Sequence, residues 1–275
     1  MTTTTQMLDV SFYDGRHEYP LGSGKWAYMP IDWNQALSKW PAAIIRQGQG
    51  LSKDPLYQLQ IQAARGRVVF GTYHVFNPQV NAIKAALSCV DDISSSGGFG
   101  QLGVWLDCET IPGVTIPEGH IYFSALASWM NEMKTRMIAA GVGDRRLGIY
   151  TRKSFWDPLY AQAGYPMYTQ SYPAWVAQYR YENLSPTEYS IAYHRIVTDK
   201  VYPLTPSLPN GLKTLVAFQW TARGFPGDVP GYPPYKKSVD FNLLYDNITS
   251  PMTPPTALTD KQKLDKLWDA HPELH

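Results

Sequence analysis

Gly103-Val-Trp-Leu-Asp107-Cys-Glu109 is the stretch on which the reading of the fold turns. An apolar run closed by Asp-x-Glu reads as a strand that ends at a polar boundary. Side chains alternate along a strand, so Asp107 and Glu109 share one face and Cys108 points the other way. Two rises of about 3.3 Å put the two α-carbons roughly 6.5–7 Å apart. A bare Asp-x-Glu is more often a solvated acidic loop, but the preceding Val104-Trp-Leu106 predicts burial at the mouth of a barrel. The C-terminal ends of parallel barrel strands are where such enzymes build their sites. Like charges held this close raise at least one pKa, which keeps a carboxyl protonated as a general acid.

Further strands are expected on either side of this one. They are Met7–Ser11, Ala43–Arg46, Val68–His74, Leu102–Cys108 itself, Arg146–Tyr150, Ala174–Gln178, Thr214–Trp220 and a last short piece at Ser238–Asn242. Several are apolar on both faces, as strands covered on both sides are. Helix-like segments lie between them at Trp33–Lys39, Pro55–Arg65, Pro78–Ser88 and Glu118–Ala140, the last closed by Gly141. Repeated strand-then-helix predicts a parallel sheet with crossovers. Beyond Tyr179 the alternation decays into Pro- and Tyr-rich sequence. The fold class is therefore α/β, a single (β/α)-type barrel whose final strands are irregular or antiparallel.

Three segments are expected: a barrel domain over 1–249, a Pro/Thr-rich linker over 250–257 and a short helical tail over 258–275. In the tail, Thr259-Asp-Lys-Gln262 reads as a capping box, followed by Leu264, Leu267 and Trp268 on one helix face. Such a helix docks on its own barrel, oligomerises or attaches the chain to a larger assembly. The 275-residue chain carries 24 Lys and Arg against 23 Asp and Glu, a formal charge of +1 that would not steer a polyanion, so no nucleic-acid partner is expected. Charged residues at 17% and aromatics at 13% point instead to a neutral or sugar-like ligand met by rings and hydrogen bonds. No apolar run is long enough for membrane insertion. Cys89 and Cys108 read as two buried free thiols, and no Cys/His spacing suggests zinc.

Asp9, at the end of the first strand, and Asp240, in the last, are the other acids of interest. Each alone is more often a cap or turn former. First and last strands are neighbours in a closed barrel, however, so these two can join Asp107 and Glu109 at one mouth. The aromatics near strand ends are Tyr73, Tyr150, Trp175, Tyr179 and Trp220. Singly each is more often core; as a group, at least Tyr73, Tyr150 and Trp175 are expected to line a cleft. Gln219 alternates with Phe218 and Trp220, so without a bulge it cannot share the site with Trp220 and is left out. His74 is expected to be a packed or hydrogen-bonded barrel residue.

The ordered set of motifs resembles a glycoside hydrolase family 25 muramidase (lysozyme). It comprises Asp9-Val-Ser-Phe-Tyr-Asp-Gly15, Ile31-Asp-Trp33, Ala43-Ile-Ile-Arg-Gln-Gly-Gln-Gly50 with Asp54, and Gly71-Thr-Tyr-His-Val-Phe76. It continues with Val104-Trp-Leu-Asp-Cys-Glu109, Leu147-Gly-Ile-Tyr-Thr151, Trp175-Val-Ala-Gln-Tyr179, Phe218-Gln-Trp220 and Val239-Asp-Phe-Asn242, spanning about residues 7–245. The resemblance implies an incomplete (β/α) barrel that cuts the β-1,4 bond after N-acetylmuramic acid in peptidoglycan. It implies Glu109 as general acid/base, Asp107 as its electrostatic partner, and Asp9 and Asp240 as further acids of the cleft. Tyr73, Tyr150, Trp175 and Tyr179 would meet the glycan strand. An Asp-x-Glu pair resembles that of substrate-assisted enzymes, in which the sugar's own N-acetyl oxygen attacks the anomeric carbon. Direct inversion, with Asp9 or Asp240 activating water, is the alternative; neither route needs a metal, and no cofactor is implied.

Departures from the family pattern are the long Arg16–Pro30 segment, expected as a cleft wall, the long stretches Tyr179–Pro209 and Gly224–Tyr235, and Phe218 where Trp is common. They bear on substrate choice and remove none of the four acids. A binding module that keeps the cleft but not the chemistry would be expected to have lost an acid. A glycosidase acting on chitin-like polymers would be expected to carry a longer acidic strand motif. Met1-Thr-Thr-Thr-Thr-Gln6 carries no signal peptide pattern, so the expected setting is a phage endolysin released through a holin or a muramidase carried in a virion.

Overall fold

A computed structural model describes residues 4–11, 14, 16–18, 26–28, 30–143, 146–179, 185–198, 206–224, 228–231 and 239–245. In chain order the elements are β1 (Thr5–Val10), β2 (Arg16–Glu18), β3 (Trp26–Tyr28), α1 (Trp33–Ala36), β4 (Ala42–Gln49), β5 (Ser52–Lys53), α2 (Tyr57–Ala64), β6 (Val69–Val75) and α3 (Ala82–Ser95). They continue as β7 (Val104–Cys108), α4 (Gly119–Ala139), β8 (Leu147–Thr151), α5 (Lys153–Gln162), β9 (Pro173–Ala177), α6 (Pro186–Tyr193), β10 (Thr214–Gly224) and β11 (Val239–Leu244). Each strand read from the sequence is present, with β4 and β10 running on beyond the expected ends.

The main sheet runs β1-β11-β10-β9-β8-β7-β6-β4-β5, and a further β1–β4 pairing closes eight of these strands into a barrel. From β1 through β4, β6, β7, β8 and β9 to β10, neighbours are parallel. β11 is antiparallel to both β10 and β1. The expected antiparallel finish is thus one inverted strand that closes the barrel. Its consequence for the site is direct: the N-terminal end of β11 lies at the same mouth as the C-terminal ends of all the others.

Two cores follow from the strand alternation. Outward-facing Leu8, Val10, Ala43, Ile45, Val104, Leu106, Cys108, Leu147 and Ile149 are buried against the helices. Helix α4 meets them with Tyr122, Phe123, Leu126, Trp129, Met130, Met133 and Met137, a stripe at helical spacing. Fully burying each such side chain stabilises by about 1.5–3 kcal/mol. Inward-facing Met7, Ala42, Ile44, Trp105 and Leu244 fill the barrel itself. Trp105 fits because the neighbouring inward position, Gly148, carries no side chain, and Gly71 makes room for Leu102 in the same way. A Cβ on Gly148 would stand 2.4 Å from the Trp105 ring, and one on Gly71 would stand 2.6 Å from Leu102 Cβ. The Trp105 indole N–H donates to the Leu102 carbonyl at 2.9 Å.

The helices depart from expectation in three places. α3 starts later than expected, where the Asn81 side chain accepts from the Lys84 N–H, and runs on to Ser95 because Cys89 and Ile93 extend its buried face. α5 is a helix the sequence reading did not name, since Pro158 sits inside it and removes one backbone hydrogen bond. α6 opens on a full capping box between Ser185 and Glu188, within the stretch read as irregular. In the long segment expected as a cleft wall, β2 and β3 pair antiparallel. The linker and the tail helix expected over 250–275 lie outside the described residues.

Candidate functional site

Asp9 and Asp240 stand directly opposite each other in the β1–β11 pairing. Facing residues of an antiparallel pair lie about 4.5–5.5 Å apart and project to one side. Along β1, Met7 points into the barrel and Leu8 out of it, so Asp9, in step with Met7, points inward at the mouth. The same alternation on β7 turns Trp105, Asp107 and Glu109 inward while Cys108 packs outward against Tyr122. Asp107 is buried, whereas Glu109 and Asp9 are half-buried at the rim. The structure therefore brings the four sequence-selected acids to one mouth.

Burial of these carboxylates sets their electrostatics. Asp107 is pushed well above the usual carboxylate range, first by burial, then by the charges of Glu109 and Asp9, with Arg46 and Arg152 pulling the other way. Asp9 is likewise pushed up by burial, then by Asp240 and Asp14, and is partly relieved by a hydrogen bond from Tyr73. Glu109 is raised by burial, and Arg152 opposes that rise. Such a cluster holds on to protons that isolated carboxyls release. Asp107 Oδ1 is buried without a hydrogen-bond partner among the described residues, which is costly for a polar atom unless something else fills the position.

The aromatic residues form the floor and one side of this mouth. Tyr73, Trp105 and Tyr150 surround Trp175, with ring centroids 6.2, 6.2 and 4.4 Å from it. Trp175 is fully buried, and its indole N–H donates to Asn242 Oδ1 at 2.8 Å. It is a floor residue, held by a polar handle. Tyr179 is less enclosed, and its hydroxyl lies 3.4 Å from that of Tyr150. Both hydroxyls donate to Gln219 Oε1, at 2.5 Å from Tyr150 and 3.2 Å from Tyr179.

Gln219 is thus a member of the site that sequence reasoning left aside. Alternation put Gln219 on the face opposite to Phe218 and Trp220, and the structure turns Gln219 inward while those two point out into the helical core. The β10–β11 register also shifts between Gln219 and Thr221. Arg46 and Arg152 were missed as well. Arg46 follows Ile44 on the inner face of β4 and is tied to Asp54 at 2.9 Å, while Arg152 follows the last residue of β8. Asp54 also accepts from the Leu56 N–H at 2.9 Å, which holds it in place. Alternation along β4 could have found Arg46; nothing periodic marks Arg152, which lies past a strand end.

His74, next to Tyr73, points the other way. It is buried, stacks on Trp129 at 5.6 Å and shares a hydrogen bond of 2.7 Å with Gln47 Oε1. Burial pulls its pKa down to about 3, so it is a neutral packed residue of the outer layer, as expected. Both cysteines are buried free thiols. Among the described residues no group of three or more His, Cys, Asp or Glu side chains could hold a metal ion. No helix among them is long and apolar enough to cross a membrane.

A carboxylate cluster floored by aromatic rings at the C-terminal mouth of a parallel barrel can donate and accept protons around a sugar bound across it. Comparison with known proteins bears on this directly. The barrel is similar to a bacterial lysozyme from Streptomyces coelicolor, with a TM-score of 0.60 and 20% identity over 88% of this chain and 92% of that one. It is similar to a family GH25 lysozyme from Aspergillus fumigatus, with a TM-score of 0.56 and 18% identity over 91% and 96%. It is also similar to the modular autolysin LytC from Streptococcus pneumoniae in complex with a synthetic peptidoglycan ligand, with a TM-score of 0.59 and 14% identity over 88% of this chain and 47% of that one. At these identities the likeness speaks for the fold. Among curated proteins none matches the chain in sequence. The family model "Glycosyl hydrolases family 25" matches residues 8–228, well over half of the chain, and the protein therefore belongs to that family of glycoside hydrolases.

Proposed function

We propose that the protein is an N-acetylmuramidase that cleaves the β-1,4 bond between N-acetylmuramic acid and N-acetylglucosamine in peptidoglycan. The observation that carries this reading is the convergence of Asp9, Asp107, Glu109 and Asp240 on one mouth, with Asp9 facing Asp240 across a strand pair. A retained set of acids favours an enzyme over a sugar-binding module. A structural neighbour described as a lysozyme, and an autolysin bound to a synthetic peptidoglycan ligand, favour the bacterial wall as substrate.

In the mechanism we infer, Glu109 is the proton donor. Like Asp9 it is half-buried at the rim, where a glycosidic oxygen can reach it, and burial holds its proton to a higher pH than usual. Asp107 sits two residues back on the same face. Its carboxylate accepts the N–H of the substrate's acetamido group and so turns the acetamido oxygen toward the anomeric carbon. The acetamido oxygen forms a bond to C1 as the bond from C1 to the leaving oxygen breaks, and that oxygen takes the Glu109 proton. Positive charge develops on the resulting oxazolinium ring, and carboxylates lower its energy. Water then attacks C1, giving its proton to Glu109 and returning the acetamido group. Asp9 and Asp240 contribute negative potential across the mouth, and Tyr179, the least enclosed of the four aromatic residues, gives the sugar a ring to rest on, with buried Trp175 supporting the floor beneath.

The test is product analysis on purified peptidoglycan. Mass spectrometry should find N-acetylmuramic acid at every new reducing end, and NMR during the first turnover should find the β-anomer retained. An α-anomer product would replace the substrate-assisted route by direct inversion. Cleavage of chitin oligomers in place of peptidoglycan would replace the substrate.

A further inference from the structure

Beside the acid cluster a groove of about 360 Å³ runs along the mouth-side ends of β8 and β9, lined by Arg152, Lys153, Ser154, Gln178, Tyr179 and Ser207 among others. It adjoins the site through two of its walls. Tyr179 is hydrogen-bonded to Gln219 within the site. Arg152 extends the β7–β8 pairing, in which Asp107 faces Tyr150 and Cys108 faces Thr151, so the next residues along, Glu109 and Arg152, are neighbours. The Thr151 hydroxyl fixes that register by donating to the Cys108 carbonyl at 2.7 Å.

The charges in the groove are not equivalent. Lys153 is paired with Asp157 at 2.5 Å, and Asp157 also accepts from the Asn210 N–H at 2.7 Å. Among the described residues, the Arg152 guanidinium makes neither an ion pair nor a hydrogen bond. A guanidinium presents a planar fork of donors that matches a carboxylate. The Tyr179 hydroxyl already donates to Gln219 Oε1, so that ring forms a wall of the groove and adds no free donor. Gln178 accepts from the Ser207 N–H at 3.2 Å through its oxygen, which leaves its amide NH₂ as a donor. The groove therefore sets the Gln178 amide beside a guanidinium that acts on Asp107 and Glu109 only through space and keeps its own fork of donors open.

We propose that this groove is a subsite for a carboxylate carried by the muramyl residue, with Arg152 as its counter-ion and hence a determinant of substrate preference. The inference rests on the muramidase reading, because the muramyl residue is the sugar of that substrate with an acid-bearing arm. The carboxylate belongs either to the lactyl arm itself or to the peptide attached to it.

Three glycan substrates separate the possibilities: strands with intact stem peptides, strands with the stems removed to leave free lactyl carboxylates, and the latter with those carboxylates converted to neutral methylamides. Arg152 also acts on Glu109, but that effect is common to all three substrates and cancels in their ratios. Arg152→Gln should lose about tenfold in kcat/KM, chiefly through KM, on the substrate whose carboxylate the groove receives, relative to the neutral one. Arg152→Lys keeps the charge and should retain part of that preference. A relative loss confined to the free lactyl strands assigns the lactyl carboxylate, and one confined to the stem-bearing strands assigns the peptide. Equal loss on all three overturns the subsite and leaves the muramidase reading intact. If the wild type cleaves none of them, that reading falls and the subsite falls with it.

Discussion

The two ends of the barrel interior are built by the same strands yet obey opposite rules. At the closed end, Met7, Ala42, Ile44, Trp105 and Leu244 pack as an apolar plug, with Gly148 leaving room for the indole. Two residues farther along the same strands, Met7 gives way to Asp9, Ile44 to Arg46 and Trp105 to Asp107. One end contributes stability through burial. The other accumulates like charges that burial penalises, and it is stable only because the packed end and the outer helical layer offset that cost. The lesson is that the site is a continuation of the core pattern with its chemistry inverted, set by strand period and not by loops.

The closed end should fail most heavily when its plug is disturbed. Trp105→Ala removes a buried indole and should cost about 3–5 kcal/mol. Gly148→Ala drives a methyl into the same ring and should cost about 1–3 kcal/mol. Denaturant titration measures both, and a cost near zero for either would deny that Trp105 plugs the barrel.

At the open end the sign reverses. Asp9→Asn removes a half-buried carboxyl that faces Asp240, so the protein should gain about 2–4 °C in Tm at pH 7, the shift that roughly 1 kcal/mol produces at this size, while activity falls. The raised Asp9 and Asp107 pKa values also fix a direction of pH dependence. Between the unfolded carboxyl pKa of about 3.9 and the higher folded value, the native state holds protons that the unfolded chain releases, so stability falls as pH rises. Asp9→Asn should flatten that slope, which thermal melts across pH 4–8 would show.

The outer layer supplies the opposing limb of the same comparison. His74 is neutral in the folded protein, with its pKa pulled down to about 3. Below the unfolded value of about 6.5 the unfolded chain takes up a proton that the native state refuses, so this residue removes stability as pH falls. Tyr73 and His74 are adjacent, and which side of the sheet each faces decides its surroundings. The smallest effect belongs to the rim: Lys53 pairs with Asp92 from a largely exposed position, and Lys53→Ala should cost no more than about 1 kcal/mol.

Much of this was readable from the sequence, for an identifiable reason. Period-two alternation through Val104-Trp-Leu-Asp-Cys-Glu109 placed the acid pair on one face, and closure of a barrel placed Asp9 beside Asp240. What escaped were features that periodicity does not encode. Whether the face of Trp220 or that of Gln219 pointed inward depended on how β11 closes the sheet, and the site took Gln219. Arg152 lies past the end of a strand, where alternation no longer assigns a direction. α5 is hidden by Pro158, whose lost hydrogen bond is outweighed by the burial of Trp156 and Tyr160 against α4 and its neighbours.

The central claim is that Glu109, at the open end, supplies the proton for glycan cleavage, and the direct measurement is peptidoglycan hydrolysis by Glu109→Gln beside the wild type. The substitution keeps shape while removing the transferable proton. Release of new reducing ends should fall by about 10²–10⁴-fold with Tm unchanged or slightly raised. Hydrolysis at the wild-type rate by a folded Glu109→Gln protein would contradict the account.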